Sequence, residues 1–120
     1  MTHPLVGVWL VEVEDATRSR VTHGFREDGT MLVTSAFHGA QGVWRATGER
    51  SAELLVTRPI EAEDRSFVGW QTAAGSVEVS EDGETYEMSG SISRPLPDGG
   101  VDERQITLRG TRLRLDGPWP

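Results

Sequence analysis

The stretch Leu5-Val6-Gly7-Val8-Trp9-Leu10-Val11-Glu12-Val13 decides how this chain folds. It is a short apolar run rich in valine, which is typical of a strand. The rest of the chain lacks helical periodicity. Instead, apolar and polar residues alternate in segments that Gly, Pro and Asp interrupt about every dozen residues. We therefore predict an all-β protein whose other strands lie beside this first one in turn.

The alternation predicts eight strands, and the longest of them contains an interior glycine. That glycine, Gly75, predicts a bend, because an interior glycine tends to mark a bulge or a tight barrel corner. The predicted strands span residues 5–14, 18–26, 30–38, 41–47, 51–60, 65–80, 84–94 and 100–109, with a short tail at 111–115.

Loop lengths predict the registers, because a slip of one residue would turn a strand inside out. After Phe25, a two-residue Asp-Gly hairpin and a three-residue loop are both possible. The three-residue loop gives a single apolar face by pairing Phe25 with Met31 and His23 with Val33. The same test at the later hairpins predicts the pairs Trp44–Leu54, Ala46–Ala52, Val79–Tyr86, Val77–Met88, Ala73–Ile92 and Gln71–Arg94.

The predicted loops differ between the two ends of the sheet. One end carries tight turns at 27–29, 48–50 and 82–83, and the other carries mostly longer loops at 15–17, 39–40, 61–64 and 95–99. Closure would remove the exposed edges of an open sheet. We predict one domain over residues 1–120, a single eight-stranded antiparallel up-and-down β-barrel. Its interior has room for filling side chains or one small ligand.

Composition excludes several classes of function. The 120 residues carry a net charge of −7 and contain no cysteine, and all 12 basic residues are arginine. Disulfides, thiolate metal sites, a cysteine nucleophile and Schiff-base catalysis are therefore excluded. An acidic chain is a poor binder of nucleic acid.

Targeting and membrane signals are also missing from the sequence. No window approaches the roughly 20 apolar residues of a membrane span, so we expect no membrane partner. The start Met1-Thr2-His3-Pro4 has no basic region followed by an apolar run. We therefore expect no signal peptide and a cytoplasmic location.

Three short motifs give the chain a family resemblance. Gly7-Val8-Trp9 opens the first strand, Gly42-Val43-Trp44 opens the fourth, and Phe-x-x-Asp-Gly-Thr at 25–30 makes the first hairpin. The layout resembles small bacterial lipocalin-like (calycin) β-barrels, although the chain is shorter than secreted lipocalins and lacks their disulfides. The resemblance implies a barrel with a cavity. It also implies that Trp9 packs at the closed end under Arg109 or Arg112, in a cation–π contact.

Polar residues on the predicted inward face are candidates for chemistry. His23 would be neutral when buried, and could act as a base or a donor. Alternatively, it is a core histidine whose partner is Ser35 or Tyr86. Our candidate catalytic residues are His23, Tyr86 and Arg94, and our candidate ligand contacts are Phe37, His38, Trp44, Phe67, Gln71 and Met88.

Two arginines precede prolines near the end of the barrel that carries the longer loops, which we predict to be its open mouth. Arg58 and Arg94 could together clamp a carboxylate or an enolate oxygen. Alternatively, they form ion pairs with acidic residues of the nearby loop, Glu61, Glu63 and Asp64.

The remaining features concern metals and partners. The three histidines show no metal-ligand spacing, so we expect no metal and no cofactor. Trp70 falls on the outward face beside Val68, and an exposed apolar pair of this kind predicts a homodimer contact.

The sequence predicts a binding barrel that holds a small, largely apolar ligand. Similar small barrels act as cofactor-free cyclases or isomerases of polyketide or terpenoid pathways, which is the alternative function. In a third possibility, the interior is packed and the domain is structural. Whether the chain is an enzyme stays open, because no catalytic motif stands out.

Overall fold

The computed structural model describes residues 2–13, 19–36 and 38–117. It contains eight strands, and each pairs antiparallel with the next. β8 pairs back onto β1, so the sheet is a closed up-and-down barrel, as predicted. The strands are β1 (Gly7–Val13), β2 (Arg20–Phe25), β3 (Thr30–Thr34), β4 (Gly39–Ala46), β5 (Ser51–Glu61), β6 (Phe67–Val79), β7 (Thr85–Pro95) and β8 (Val101–Arg112). The described ranges contain no helix that is long and apolar enough to cross a membrane.

The registers confirm the argument from loop length and apolar faces. Phe25 pairs with Met31 and His23 with Val33, as the three-residue loop requires. The predicted pairs at the next two tight turns are also present, among them Trp44 with Leu54 and Val79 with Tyr86. The β6–β7 ladder ends at Thr72 and Ser93, one pair before the predicted partners Gln71 and Arg94.

Several predicted boundaries are wrong. β3 ends at Thr34, because Ser35 turns back and its amide donates to the carbonyl of His38 at 2.9 Å. The predicted tail at 111–115 is partly strand, since β8 continues to Arg112 in its pairing with β1.

Gly75 does not interrupt the pairing of β6. Its residues pair without a break on both sides of this position, and the irregular step in the β5–β6 ladder falls between Ile60 and Glu61. Gly75 instead faces Gly90, where a side-chain carbon would come within 2.6 Å of the Gly75 Cα. The two glycines therefore let neighbouring strands approach closely.

The buried core fills the closed end of the barrel. Leu5 and Trp9 are completely buried there, together with Tyr86 and Phe25. The Trp9 indole donates to the carbonyl of Leu5 at 2.9 Å, so its polar edge is satisfied inside the core. Its ring lies edge-on to Tyr86, with 4.9 Å between centroids. Such contacts add to the large apolar area that the two rings bury.

Arg112 covers Trp9 and closes the floor of the barrel. Its guanidinium carbon lies 4.3 Å from the centroid of the Trp9 ring, which identifies Arg112 rather than Arg109 as the partner. The same guanidinium donates to the carbonyls of Pro4, Val6 and Gly83. One side chain therefore joins the N-terminal segment, β1 and the β6–β7 turn.

The glycine of the Gly-x-Trp motif has a structural reason. Gly7 has φ of +137°, where other residues are strained. A side-chain carbon at Gly7 would also lie 2.7 Å from a terminal nitrogen of Arg112. Glycine at this position therefore makes room for the arginine that covers Trp9.

Replacing Arg112 should destabilise the fold strongly. We expect Arg112→Ala to lower the free energy of unfolding by about 3 kcal/mol, because three carbonyls lose a charged donor and Trp9 loses its cation. Arg109→Ala is the matched control, since Arg109 lies exposed on the same strand. It should change stability by less than about 0.5 kcal/mol. Urea unfolding measures both, and similar losses in the two variants would contradict the role given to Arg112.

Candidate ligand-binding cavity

A cavity of about 480 Å³ occupies the half of the barrel opposite to Trp9. Ligand pockets usually fall between about 300 and 1,000 Å³. The interior is therefore not filled by side chains at this end. Most of the lining is apolar and consists of Val13, Val21, Val33, Leu54, Val56, Ala73, Met88, Ile92, Ile106 and Leu108.

The cavity exists because the side chains at this end do not fill the space between the strands, and several of them are small. Gly39, Ala40, Ala73 and Ser35 line it, whereas the large aromatic residues lie at the closed end. The strand β8 also lengthens the wall of the cavity. The pairing of β8 with β1 begins at Leu108, so Val101–Thr107 extends beyond the described part of β1. The long β5–β6 and β7–β8 hairpins thus carry the mouth of the cavity.

His23 lines the floor of this cavity and is bonded to Tyr86. Its side chain is 4% exposed, and its Nδ1 lies 2.6 Å from the Tyr86 hydroxyl. Burial lowers the pKa of His23 to about 4 and raises the pKa of Tyr86. Both groups are therefore neutral at pH 7, because burial disfavours their charged forms.

The hydrogen bond fixes the tautomer of His23. Among the described residues the Tyr86 hydroxyl has no other acceptor, so it donates to Nδ1 and the ring proton lies on Nε2. Nε2 has no hydrogen-bond partner among the described residues. Every fully buried polar side-chain atom of these residues does have a hydrogen-bond partner, so Nε2 is not fully buried. Nε2 must then be accessible, and the accessible space beside His23 is the cavity. His23 thus offers the cavity a neutral N–H donor.

Tyr86 itself lies below the cavity. It packs between Trp9 and Phe25, and a side-chain carbon at Gly110 would collide with its ring. The bare backbone at Gly110 therefore lets the ring lie flat against β8 while the hydroxyl reaches His23. The predicted partnership of His23 with Tyr86 is confirmed, and Tyr86 reaches the cavity only through His23.

Polar side chains surround the mouth. Arg58 donates to the side-chain carbonyl of Gln71 at 3.4 Å, and both residues line the cavity together with Arg94. Burial and the nearby charge of Arg94 lower the pKa of Arg58. On the neighbouring strand β8, Asp102 is the register partner of Arg94, but it forms its ion pair with Arg104 at 2.9 Å.

The alternative in which Arg58 and Arg94 pair with loop carboxylates is wrong. In residues 2–13, 19–36 and 38–117, neither arginine forms an ion pair. Asp64 instead accepts hydrogen bonds from the backbone and hydroxyl of Ser66. Among the described residues, the two guanidiniums at the mouth therefore have no carboxylate partner.

Other candidate ligand contacts also lie on the cavity. Met88 is buried on its wall, and His38 is exposed at its rim beside Gly39. Phe37 lies outside the described residues.

Trp44 lies at the closed end, so its predicted place among the cavity walls is wrong. Its indole donates to the carbonyl of Arg26 at 2.9 Å, and its ring contacts Phe25 and His3. The reason is the direction of β4, which starts at the mouth with Gly39 and reaches the closed end by Ala46.

Phe67 points away from the interior, contrary to the prediction. It is 59% exposed and packs against the equally exposed Trp70, with 5.4 Å between ring centroids. The register shift between Ile60 and Glu61 adds a residue to β6, which turns Phe67 to the outer face. The predicted outward orientation of Trp70 is correct, and the homodimer contact stays a prediction.

Sequence reasoning missed the contribution of β8. Asp102, Arg104, Ile106 and Leu108 all line the cavity. The signal was present, because these residues alternate in step with Arg112, which faces inward onto Trp9. In the described part of the chain, no three His, Asp or Glu side chains lie close enough together to hold a metal ion.

Comparison with known proteins supports the fold alone. The barrel is similar to the solved structure of a redesigned β barrel, with a TM-score of 0.62 over 95% of this chain and 98% of that one. The two sequences are 15% identical, so the likeness concerns the eight-stranded architecture. No family model matches the sequence, and no curated protein matches it.

Buried His23 should make stability depend on pH. Its pKa is about 4 in the folded state against an ordinary 6.5, so the unfolded chain binds more protons between these values. Stability is full above pH 6.5 and falls as the pH drops towards 4. Between pH 7.5 and 4.5 this histidine should cost about 2 to 3 kcal/mol.

The measurement is urea unfolding of the wild type and of His23→Gln at both pH values. Every other titrating group is shared, so the difference between the two pH-dependent losses reports His23. Equal losses in the two proteins would show that this imidazole is not buried and neutral.

Proposed function

We propose that this protein is a lipocalin-like barrel that binds a small, largely apolar molecule in its interior. The observation that carries the proposal is the cavity of about 480 Å³ with its mainly apolar lining. Water in such a space finds few hydrogen-bonding partners. An apolar ligand that replaces it removes apolar surface from water, which contributes about 25 cal/mol per Å².

The division of the barrel supports this function. The closed end holds the large buried aromatic rings and the Arg112 contacts, whereas the core residues that also line the cavity are Leu54, Val56, Met88 and Leu108, which carry no ring. The half of the barrel at the mouth can therefore stay unfilled and accessible to a ligand. A packed structural domain would have no reason to leave space of this size, because unfilled volume costs stability.

A few polar groups can orient the ligand. His23 presents an N–H donor at the floor, and Gln71, Arg58 and Arg94 surround the mouth. A largely apolar lining with a small number of placed polar groups is the usual composition of a small-molecule site.

A specific observation also favours the second candidate, a cofactor-free cyclase or isomerase of polyketide or terpenoid compounds. Tyr86 holds the neutral His23 ring with its N–H towards the cavity. A donor fixed beside the substrate carbonyl can stabilise the oxygen of an enolate as charge develops on it, while a base from the solvent takes up the proton of the neighbouring carbon. The cavity would hold a flexible substrate in a reactive shape.

Filling the cavity should abolish binding of a neutral probe. Ala73 lines the cavity, and the next residue on the same strand, Ala74, is exposed on the outer face. We expect N-phenyl-1-naphthylamine to fluoresce on binding to the wild type and to Ala74→Phe. Ala73→Phe should weaken its binding at least about tenfold, because the new ring occupies the apolar volume. Equal binding by both variants, or no binding by the wild type, would contradict the proposal.

The enzymatic candidate predicts chemistry on a bound ketone. The protein should accelerate hydrogen–deuterium exchange at the carbon beside the carbonyl of 2-tetralone, followed by NMR. His23→Gln should lower this rate about a hundredfold, as expected for loss of a donor to a developing oxyanion. Binding of the neutral naphthylamine probe by His23→Gln is the control. Absence of acceleration by the wild type would reject this candidate and leave the binding proposal intact.

A further inference from the structure

Arg58 and Arg94 place two positive charges close together on the wall of a mainly apolar cavity. Arg58 is half-buried at the mouth, and the charge of Arg94 is near enough to act on it. Both side chains line the cavity. Partial burial of Arg58 and its proximity to the charge of the exposed Arg94 each disfavour the charged state of Arg58, so this arrangement costs free energy in the empty protein.

The missing carboxylate partners do not reflect a shortage of acidic residues. The chain has 19 acidic and 12 basic residues. Other arginines of the described chain do find carboxylates, including Arg45 with Glu53 and Arg114 with Glu84. Arg58 instead donates to the neutral amide of Gln71, which positions its guanidinium without neutralising it.

Among the described residues, the acidic residue that lines the cavity, Asp102, already has an ion-pair partner. Asp102 is on the cavity wall and lies opposite Arg94 in the β7–β8 ladder, but its carboxylate forms an ion pair and a hydrogen bond with Arg104. That pair balances its own charges. The positive charge of Arg58 and Arg94 is therefore left to act on whatever enters the mouth.

We propose that the ligand of this barrel is an amphipathic carboxylate, with its apolar body in the cavity and its carboxylate between Arg58 and Arg94. A carboxylate matches the planar fork of a guanidinium and can accept two parallel hydrogen bonds from it. It would also remove the repulsion between the two arginines. The inference rests on the proposed binding function and adds the chemical class of the ligand.

The geometry assigns opposite ends of the ligand to different surroundings. Leu54, Val56 and Met88 form the apolar part of the wall, below the arginines at the mouth. A fully apolar molecule would leave both guanidiniums uncompensated. A small hydrophilic anion would leave the apolar volume unfilled, so a molecule with both parts uses the site best.

The test compares two probes with the same apolar body. Decanoate and 1-decanol differ mainly in the charged head, and each is titrated at pH 7.5 as a displacer of N-phenyl-1-naphthylamine. We expect the wild type to bind decanoate at least about tenfold more tightly than 1-decanol, from hydrogen bonds to a charged group. The double variant Arg58→Gln/Arg94→Gln should lose this preference and keep its affinity for 1-decanol within about twofold.

Two further variants separate a local site from the overall charge. Arg45→Gln/Arg109→Gln removes two positive charges at positions that do not line the cavity, and should keep the preference for decanoate. Arg58→Lys/Arg94→Lys keeps the charges but loses the forks, and should keep a reduced preference.

The outcomes distinguish this inference from the proposed function. Equal affinity of the wild type for the two probes, or an unchanged preference in Arg58→Gln/Arg94→Gln, would overturn the carboxylate site and leave apolar binding in place. Failure of the wild type to bind the naphthylamine probe and both displacers would overturn the binding function and the inference together.

Discussion

The contact between Arg112 and Trp9 is the constraint on which the rest of the barrel depends. The last strand supplies the arginine, the first strand supplies the tryptophan, and the two strands are neighbours because the sheet closes. The guanidinium also bonds carbonyls of the N-terminal segment and of the β6–β7 turn. Closure of the sheet and covering of its floor are therefore achieved by one side chain, which brings together residues from both ends of the sequence.

This closed floor explains why the other half of the barrel can be hollow. Trp9, Tyr86 and Phe25 concentrate the large buried rings at one end. The described lining of the other half contains no Trp, Tyr or Phe, and its aliphatic, small and polar side chains leave the space between the strands unfilled. Tyr86 connects the two halves, since its ring belongs to the core and its hydroxyl sets the tautomer of His23 at the cavity floor. The chemistry offered to a ligand thus depends on packing beneath it.

Much of the fold could be predicted from local sequence. Loop lengths combined with the demand for one apolar face gave the correct partner for Phe25, Trp44 and Val79. The demand is strict because each strand has two faces and only one can be buried. The prediction failed for Phe67, because an extra residue in β6, Val68, lies opposite Ile60 and Glu61 and changes the face that Phe67 occupies. The adjacent Gly69 is the one sign of this bulge in the local sequence. Trp44 was assigned to the correct face but to the wrong end, because the periodicity of a strand carries no information about depth along the barrel.

The candidate site was less predictable for a related reason. Its residues come from all eight strands, so its character depends on which side chains reach the same depth after closure. The sequence pointed to His23, Gln71, Arg58 and Arg94 as inward polar groups, but several acidic residues near the mouth were equally available as partners. The structure resolves the choice by geometry. Asp64 turns to its own loop and Asp102 pairs with Arg104, which leaves the two mouth arginines with positive charge directed at the cavity. A balance of this kind depends on three-dimensional placement, and it leaves positive charge at the mouth of a mainly apolar cavity in a protein whose net charge is negative.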